Sequence, residues 1–381
     1  MRFIGLDVHQ RYCEGYEIGS NGQKRRFRLA NTREAWEEFG KTLDQDIRIV
    51  MEATSNAFWI YDILSAYPGQ VVVANPLKTR AIAEARIKTD ALDAKILAQL
   101  LAADFIPTTW VPAKNEYELR VLLHHRIRLA KIRTMLKNKI HAALIRNGLN
   151  PPCTDLFGKK GRLFLERISL PETDQIVMIS CLKLLDHVQR EIDELEGEIY
   201  DKAKDAPNVR LLIGIPGINV LSALTILAEI GDIKRFPTPK KLTSYAGLVP
   251  SVHQSGKTRH TGSITKAGRS TLRWILVQCA QRGIRSASDL QSFYLRLKAK
   301  KGHKIAIVAT ARKLLTIIWA VLTKEEEYKD IRRDLLERKL RTMAKRAVKY
   351  PRGEDLPSLL ERINEMENDA VCAPFLVSGA G

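Results

Sequence analysis

The segment QVVVANP, residues 70–76, is an almost uninterrupted apolar run, and it constrains the fold more than any other feature of this sequence. A strand that is apolar at nearly every position must be buried on both faces, which is typical of parallel sheets covered by helices. The neighbouring segments fit that requirement. NTREAWEEFGKTL, NAFWIYDILSAY and KTDALDAKILAQLLAAD read as helices, and IRIVMEAT reads as another strand. The N-terminal part is therefore expected to be an α/β domain.

Three short β-like runs precede these elements: RFIGLDVH, YCEGYEIG and KRRFRLAN. The turn-forming letters SNGQ separate the second run from the third. Three strands followed by helix–strand–helix–strand–helix is the order of an RNase H-like fold. The sequence therefore predicts an RNase H-like (RuvC-like) domain over residues 1–110.

Charge is distributed unevenly along the 381 residues, which carry a net charge of +19. Residues 1–110 contain 14 Lys/Arg and 14 Asp/Glu, so the whole excess lies in residues 111–381. Between Asp232 and Asp289 there are eleven Lys/Arg and no acid. Lys/Arg contacts with phosphates release counterions and dominate nucleic-acid affinity. We expect a neutral catalytic domain joined to parts that bind nucleic acid.

The five cysteines are scattered and never form a CxxC pair, which fits a reducing cytoplasm and argues against a zinc site or a disulfide framework. The most apolar stretch, KIAIVATARKLLTIIWAVLT, is interrupted by Arg312 and Lys313. The start, MRFIGLDVHQ, lacks the layout of a signal peptide, because an Asp falls where the apolar core should be. We therefore expect a cytoplasmic protein with no membrane partner.

Four acids fall where an RNase H-like sheet would bring them together. Asp7 lies on the first strand, Glu52 ends the fourth, and Asp90 and Asp93 share the first turn of the last helix. An acid inside the apolar run FIGLDVH is costly to bury without a partner. A divalent cation removes that cost, and Mg²⁺ prefers hard oxygen ligands. The pattern predicts a site for Mg²⁺ or Mn²⁺. His9 is a candidate base, although a histidine at a strand end is more often structural.

Residues 119–147 carry eight Lys/Arg and no acid, and Leu122, Leu129, Leu136 and Ala143 recur every seven residues. This predicts a long helix that packs against the later acidic helix LLDHVQREIDELEGEIY within a basic helical, coiled-coil region, residues 111–206. The packing seam does not explain the charge, so its outer face is predicted to contact phosphates. The residues that we assign to this contact are Arg126, Arg128, Lys131, Arg133, Lys137 and Lys139.

A third region spans residues 207–325. Near its start the letters GIPGI lie between two apolar helical runs. Such a turn resembles a helix–hairpin–helix element, in which Gly214 and Gly217 would present backbone N–H groups to a DNA phosphate. An ordinary corner between two helices is the simpler interpretation. The stretch SVHQSGKTRHTGSITKAGRS, residues 251–270, has no acid and is predicted to be a polar, basic loop. Residues 326–381 are a charged helical and loop-like extension without an assignment.

Two blocks of letters in this order resemble one family. GLDVH, MEAT and KTDALDAKILAQLL are followed by GIPGI and by SYAGLVPSVHQSGKTRHTGSITKAGRSTLRWIL. Together they resemble the DEDD-type (RuvC-like) transposases of bacterial insertion sequences, which are guided by a bridge RNA and are similar to the Piv-type DNA invertases. The resemblance spans about residues 2–325.

The resemblance implies that Asp7, Glu52, Asp90 and Asp93 form the metal site and that Ser255 is the nucleophile, with Ser251 as second choice. A serine hydroxyl needs activation to attack a phosphodiester. The cations that could neutralise the phosphate are Lys257, Arg259, Lys266 and Arg269. DNA, a guide RNA and an oligomeric protein are the implied partners.

Two other functions remain open at this point. A Holliday-junction resolvase or nuclease would use the same four acids with water as the nucleophile, and it would not need Ser255. A binding protein without activity would need only the charge asymmetry, and the complete set of acids speaks against it.

Overall fold

The computed structural model describes residues 1–83, 89–203, 206–255, 258–285, 288–329, 331 and 333–349. The chain divides into two compact units, Met1–Ala113 and Lys114–Gly381. Each unit has hydrophobic clusters of its own. The finer division of the second unit at residues 206 and 325 stays a prediction.

The first unit alternates strands and helices after an initial antiparallel meander. Its elements are β1 (Arg2–Val8), β2 (Tyr12–Ile18), β3 (Lys24–Ala30), α1 (Arg33–Lys41), β4 (Ile47–Glu52), α2 (Ala57–Leu64), β5 (Gln70–Ala74), α3 (Pro76–Ile82), α4 (Asp90–Ala102) and β6 (Thr108–Thr109). The predicted strands and helices are confirmed, and the sequence pattern missed α3 and β6. Both are short, and α3 begins at a proline directly after a strand.

The strands form one sheet in the order β3–β2–β1–β4–β5–β6. The first three are antiparallel, whereas β1, β4 and β5 run parallel. The register of β1 and β4 pairs Leu6 with Met51, so the next residues, Asp7 and Glu52, follow at the same sheet edge. Trp36, Ile49, Met51 and Ile60 are fully buried in the core. This is the predicted RNase H-like fold.

Helix α4 lies unusually close to β1 because β1 has no side chain at Gly5. A Cβ at this position would come within 2.1 Å of the Ala94 carbonyl oxygen and within 2.6 Å of the Ala98 nitrogen. Thr89 begins the helix, and its hydroxyl accepts a hydrogen bond from the Leu92 N–H. The close approach brings the first turn of α4 beside the end of β1.

The second unit is mainly helical. Its elements are α5 (Lys114–Arg146), α6 (Lys159–Arg167), α7 (Glu172–Ala203), α8 (Pro207–Ile213), α9 (Val220–Ile230), α10 (Pro239–Tyr245), β7 (Pro250–Ser255), β8 (Thr258–Ile264), α11 (Ser270–Gly283), α12 (Ser288–Lys324) and α13 (Arg333–Lys349). The largest core of the chain packs α8, α9, α11 and α12 together.

The two long helices α5 and α7 pack against each other as predicted. Leu136 and Ala143 of the seam are buried, as are Leu185, Val188 and Ile192 of α7. The linker NPPCTDLFGKKGR between them has a loop-like sequence, but its last residues begin α6. The difference has a simple cause, because Gly161 interrupts the helical pattern. In the structure this glycine lets α6 approach the Leu156 backbone, which a Cβ would meet at 2.1 Å.

The stretch predicted to be a polar loop is a β-hairpin over most of its length. Strands β7 and β8 are antiparallel, and Ser255 pairs with Thr258 across the tip. The glycines and serines outweighed the β-forming Val252, Thr258 and Thr261 in the sequence interpretation. The ladder satisfies the backbone polar groups of this segment, which a free loop would leave to water.

By length and composition alone α12 could cross a membrane, but a non-helical backbone with a φ of +77° at Gly302 divides it into two helices. Half of its most apolar window is buried inside the protein. Ala311, Leu314, Leu315 and Ile318 are fully buried in the main core of the second unit. Packing within the unit therefore accounts for the apolar character of α12.

The C-terminal extension contributes α13 to the second unit. Lys339 donates hydrogen bonds from Nζ to the carbonyl oxygens of Ile213 (2.6 Å) and Ile218 (2.8 Å), on either side of the GIPGI turn. Arg346 pairs with Glu196 of α7. Burial lowers the pKa of Lys339, as expected for an ammonium group that satisfies carbonyls inside the protein. The sequence assigned no role to the extension. In the structure it stabilises the GIPGI turn through these hydrogen bonds.

Candidate active site

Three side chains converge at the edge of the first sheet. The His9 Nε2 atom lies 3.1 Å from Asp7 Oδ2 and 3.1 Å from Asp90 Oδ2. One ligand atom from each of the three residues lies within 4.8 Å of the others. The predicted pair Asp7 and Asp90 is therefore together, and His9 belongs to the same cluster.

Asp93 and Glu52 lie on the elements beside this cluster, although neither belongs to the group of ligand atoms within 4.8 Å of one another. Asp93 lies in the first turn of α4 with Asp90, and Glu52 ends β4 beside β1. Burial raises the pKa of the Asp7 carboxyl, and the charges of Asp93 and Asp90 raise it further against the opposing effect of His9. Because like charges crowd a half-buried carboxylate, a cation at this place would stabilise the ionised form.

The donor set fits a hard divalent metal ion. Carboxylate oxygens are the ligands that Mg²⁺ and Mn²⁺ prefer, and the four acids come from two neighbouring parallel strands and one helix. An imidazole nitrogen is also compatible with Mn²⁺. Asp7, Asp90, Asp93 and Glu52 are the residues that would hold the ion.

Hydrogen bonds from Tyr12, the first residue of β2, and from Asn31, which follows β3, orient the cluster. The Tyr12 hydroxyl donates to Asp90 Oδ2 at 2.9 Å, and the Arg28 guanidinium lies 4.3 Å from the centre of the Tyr12 ring. The Asn31 amide donates to the His9 carbonyl oxygen at 2.7 Å, and Asn31 accepts from the buried Trp36 indole. The sequence interpretation missed Tyr12, because nothing in its spacing marks a contact with a helix 78 residues later.

The cations assigned to α5 do not all face outward. Arg128, Lys131 and Lys139 are exposed, in agreement with the expected outer face. Arg126 instead pairs with Glu196, and Arg133 donates to Gln189, both on α7. Residues 126, 133 and 140 are seven apart and lie on the stripe that packs against α7, which explains the difference. Lys137 lies over the Phe157 ring at 4.6 Å.

The GIPGI segment forms a turn between α8 and α9, as predicted. Gly217 has a left-handed φ of +89°, and a Cβ there would come within 2.4 Å of the Cys279 carbonyl oxygen of α11. At Gly214 a Cβ would meet the Ile331 side chain at 2.7 Å. Close packing therefore accounts for both glycines, and their contact with a DNA phosphate stays a prediction.

The predicted nucleophile and the predicted phosphate-binding cations lie in different parts of the hairpin region. Ser255 is the last residue of β7, and Arg259 lies in β8. Lys257, between the two strands, lies outside the described residues. Lys266 is exposed, with a left-handed φ of +53°, between β8 and α11. A role for these residues at a phosphate stays a prediction.

Arg269 belongs to a buried ion cluster at the start of α11. Its Nε donates to Glu229 Oε2 at 2.6 Å, and Glu229 is only 1 % exposed. His124 Nε2 lies 2.6 Å from Glu229 Oε1, and Arg120 donates to the Ala228 carbonyl oxygen. The Tyr245 hydroxyl donates to the Glu229 backbone carbonyl. This cluster joins α5, α9, α10 and α11, so the charge of Arg269 is already balanced inside the protein.

We expect Glu229→Gln to lower the free energy of unfolding by about 2 kcal/mol, because it removes the buried carboxylate to which Arg269 donates a hydrogen bond. Although burial alone would raise the pKa of Glu229, hydrogen bonds from His124 and Arg269 and the charge of Arg269 lower it on balance. The stabilisation is therefore complete above the unfolded glutamate pKa of about 4.3 and is lost as pH falls through the folded value.

Urea unfolding of the variant and of wild type at several pH values measures this effect. The difference between them should shrink in acid, where wild type loses the same charge. Glu118→Gln, on the exposed surface of α5, is the matched control and should change little. Equal effects of the two substitutions would contradict the cluster's role.

Comparisons with known proteins agree with both units. A family model for the DEDD transposases, described as Transposase, matches residues 4–147. A second model, described as Transposase IS116/IS110/IS902 family, matches residues 209–295. The first match contains all four acids of the candidate site, and the second contains the GIPGI turn and the hairpin.

Individual relatives cover most of the chain. The transposase for insertion sequence element IS1111A of Coxiella burnetii is 30% identical over 297 residues, which span 74% of this chain and 79% of the relative. The pilin gene-inverting protein of Moraxella lacunata is 30% identical over 299 residues, spanning 74% and 82%. The chain therefore belongs to the IS116/IS110/IS902 family of transposases, which are DNA strand-transfer enzymes, and is related to the pilin gene-inverting proteins.

Proposed function

We propose that this transposase excises and inserts a mobile element by metal-assisted strand transfer with Ser255 as nucleophile, guided by an RNA that pairs with the DNA. The observation that carries the proposal is the convergence of Asp7, Asp90 and His9 at the edge of an RNase H-like sheet. Residues 4–147 match a DEDD transposase model, which supports a catalytic role for this edge.

A divalent ion bound by the four acids would polarise the phosphoryl oxygens and stabilise the charge that develops during transfer. The protein's own part is to hold the carboxylates in place. Gly5 allows α4 to approach β1, and Tyr12 orients Asp90. Both contacts fix the spacing of the oxygens before any substrate is bound.

Ser255 supplies the oxygen that becomes joined to DNA. Its hydroxyl oxygen would form a bond to phosphorus while the bond from that phosphorus to one sugar oxygen breaks. The serine proton is released, and the departing sugar oxygen takes up a proton. The position of Ser255 at the end of β7, inside the segment matched by the second family model, supports this assignment.

An RNA guide, an oligomeric enzyme and a bacterial cytoplasmic location complete the proposal. Base pairing between RNA and DNA would select the target sequence. The protein would then need to recognise only the nucleic-acid backbone and its shape. The net charge of +19, all of it in residues 111–381, supports a large polyanionic partner. Sequencing of the nucleic acid that co-purifies with the protein tests for the guide.

Peptide mapping tests the nucleophile directly. A denatured reaction of wild-type protein with labelled element-end DNA should contain a covalent adduct, and mass spectrometry should place it on the peptide with Ser255. An adduct on Ser251 would move the nucleophile four residues upstream. An active enzyme that forms no adduct would instead favour water as nucleophile, and with it the resolvase.

The Tyr12 hydroxyl gives a separate test of the metal site. We expect Tyr12→Phe to raise the Mg²⁺ concentration for half-maximal strand cleavage by about tenfold or more, because groups that orient a metal ligand typically contribute 10- to 100-fold to metal binding. Tyr61→Phe removes a hydroxyl elsewhere in the first unit and should leave this concentration unchanged. An unchanged metal requirement in Tyr12→Phe would mean that its hydrogen bond to Asp90 is irrelevant to the site.

A further inference from the structure

A groove of about 450 Å³ runs across the second unit between α5, the start of α9 and α11. One wall carries Ile127 and Lys131 of α5, and the opposite wall carries Trp274 and Gln278 of α11. Gly217 of the GIPGI turn closes one end. The groove therefore brings together residues that are far apart in sequence.

Trp274 is an unusual residue for an exposed position. All five tryptophans of the chain lie among the described residues, and Trp274 is the most exposed, at 42%. Gln278 and Arg282 follow it at spacings of four, so that the indole, an amide and a guanidinium line one face of α11. An exposed ring with polar neighbours offers a flat stacking surface and hydrogen bonds beside it.

The charge of the groove points to an anion. Four cations line it, Arg126, Lys131, Arg133 and Arg282, and no acid does so among the residues that the structure describes. Arg126 is balanced by Glu196, and Arg133 donates to Gln189. Lys131 is exposed on the α5 wall, where it could reach a phosphate beside the ring, and Arg282, which already has an interaction within the protein, is exposed on the opposite wall.

We propose that this groove binds an unpaired nucleotide, with its base stacked on Trp274 and its phosphate near Lys131. Exposed aromatic rings flanked by cations bind single strands because every base has a π-face, whereas a duplex hides its base faces. The volume suits one nucleotide, since small-molecule sites begin at about 300 Å³. The inference does not depend on Ser255 as nucleophile, because it concerns only where a strand is held.

Full-length protein and a single-stranded oligonucleotide of about eight nucleotides with a central 2-aminopurine test the groove. Stacking on Trp274 should quench the 2-aminopurine fluorescence. Trp274→Leu should weaken binding between about fivefold and about 150-fold, and Trp274→Phe should restore most of the affinity. Lys131→Met should lower the salt dependence of binding by about one ion. The same measurement is made with a DNA and with an RNA oligonucleotide. The nucleic acid whose affinity falls more in Trp274→Leu is the one that the groove binds.

Leu295→Ala is the matched control, because Leu295 is 52% exposed on α12 and does not line the groove. This variant should bind like wild type. Thermal unfolding of Trp274→Leu should match wild type, since the side chain that it replaces is largely outside the core. An unchanged affinity of Trp274→Leu for both oligonucleotides would overturn the proposal. An equal loss of affinity for duplex DNA would overturn it as well, because stacking requires an unpaired base.

Discussion

Asp7→Asn should reduce strand cleavage by at least about a hundredfold in Mg²⁺ while nucleic-acid binding stays within about twofold of wild type. Stabilisation of transferring phosphoryl charge by a bound metal is worth several kcal/mol, and Asp7 lies at the centre of the acids that would hold the ion. The basic surfaces that we propose to bind nucleic acid belong to the other unit. Cleavage of labelled DNA and binding measured by electrophoretic mobility, on the same samples, separate the two effects.

The same substitution should not destabilise the metal-free protein. Because burial and the charges of Asp93 and Asp90 disfavour the ionised Asp7, an asparagine there relieves repulsion at neutral pH. The melting temperature without metal should therefore be equal to or above that of wild type. Asp62→Asn, on the exposed surface of α2, is the control and should keep full activity. Full activity of Asp7→Asn would refute the assignment of the acids.

Ser255→Ala should abolish both the covalent adduct and recombination, with a loss of about ten-thousandfold or more, as is usual when a nucleophile is removed. The substitution removes only the hydroxyl oxygen that would bond to phosphorus. Alanine still allows β7 to pair with β8. A denaturing gel that resolves protein–DNA adducts measures the result.

Ser251→Ala, Ser263→Ala and Ser270→Ala are matched controls from the same region. If these serines only hydrogen-bond to phosphates or to the backbone, each change should cost about 1 kcal/mol or less. A Ser255→Ala protein that still forms the adduct, together with a Ser251→Ala protein that does not, would reassign the nucleophile. Loss of activity without any adduct in wild type would instead assign Ser255 to substrate binding.

Local pattern was sufficient for the elements of the first unit other than α3 and β6. The apolar run at residues 70–76 predicted a parallel strand, and the spacing of Asp90 and Asp93 predicted the first turn of a helix. The meeting of Asp7 with Asp90 could be predicted because the fold has a known order of strands. The contribution of Tyr12 could not, since it depends on how closely the start of β2 approaches α4.

Charge patterns show which segments are basic but not which of their cations face solvent. Sequence shows that α5 is basic, but only the packing of α5 against α7 decides that Arg126 faces Glu196 while Arg128 faces solvent. Arg269 lies in an acid-free stretch, yet its partner Glu229 is forty residues earlier. The hairpin was missed for the opposite reason, because serine and glycine are poor strand formers until a partner strand satisfies their backbone.

The contact of Lys339 with the GIPGI turn can form only late in synthesis. The ribosome makes residues 213–218 long before residue 339, so a growing chain holds this turn without the ammonium group that satisfies its two carbonyl oxygens. A chain that terminates before α13 would contain both family-matched segments, residues 4–147 and 209–295, and still lack that contact. The finished turn thus requires a chain that has been made through residue 339, and a stop codon before that residue would act on a segment more than one hundred residues upstream.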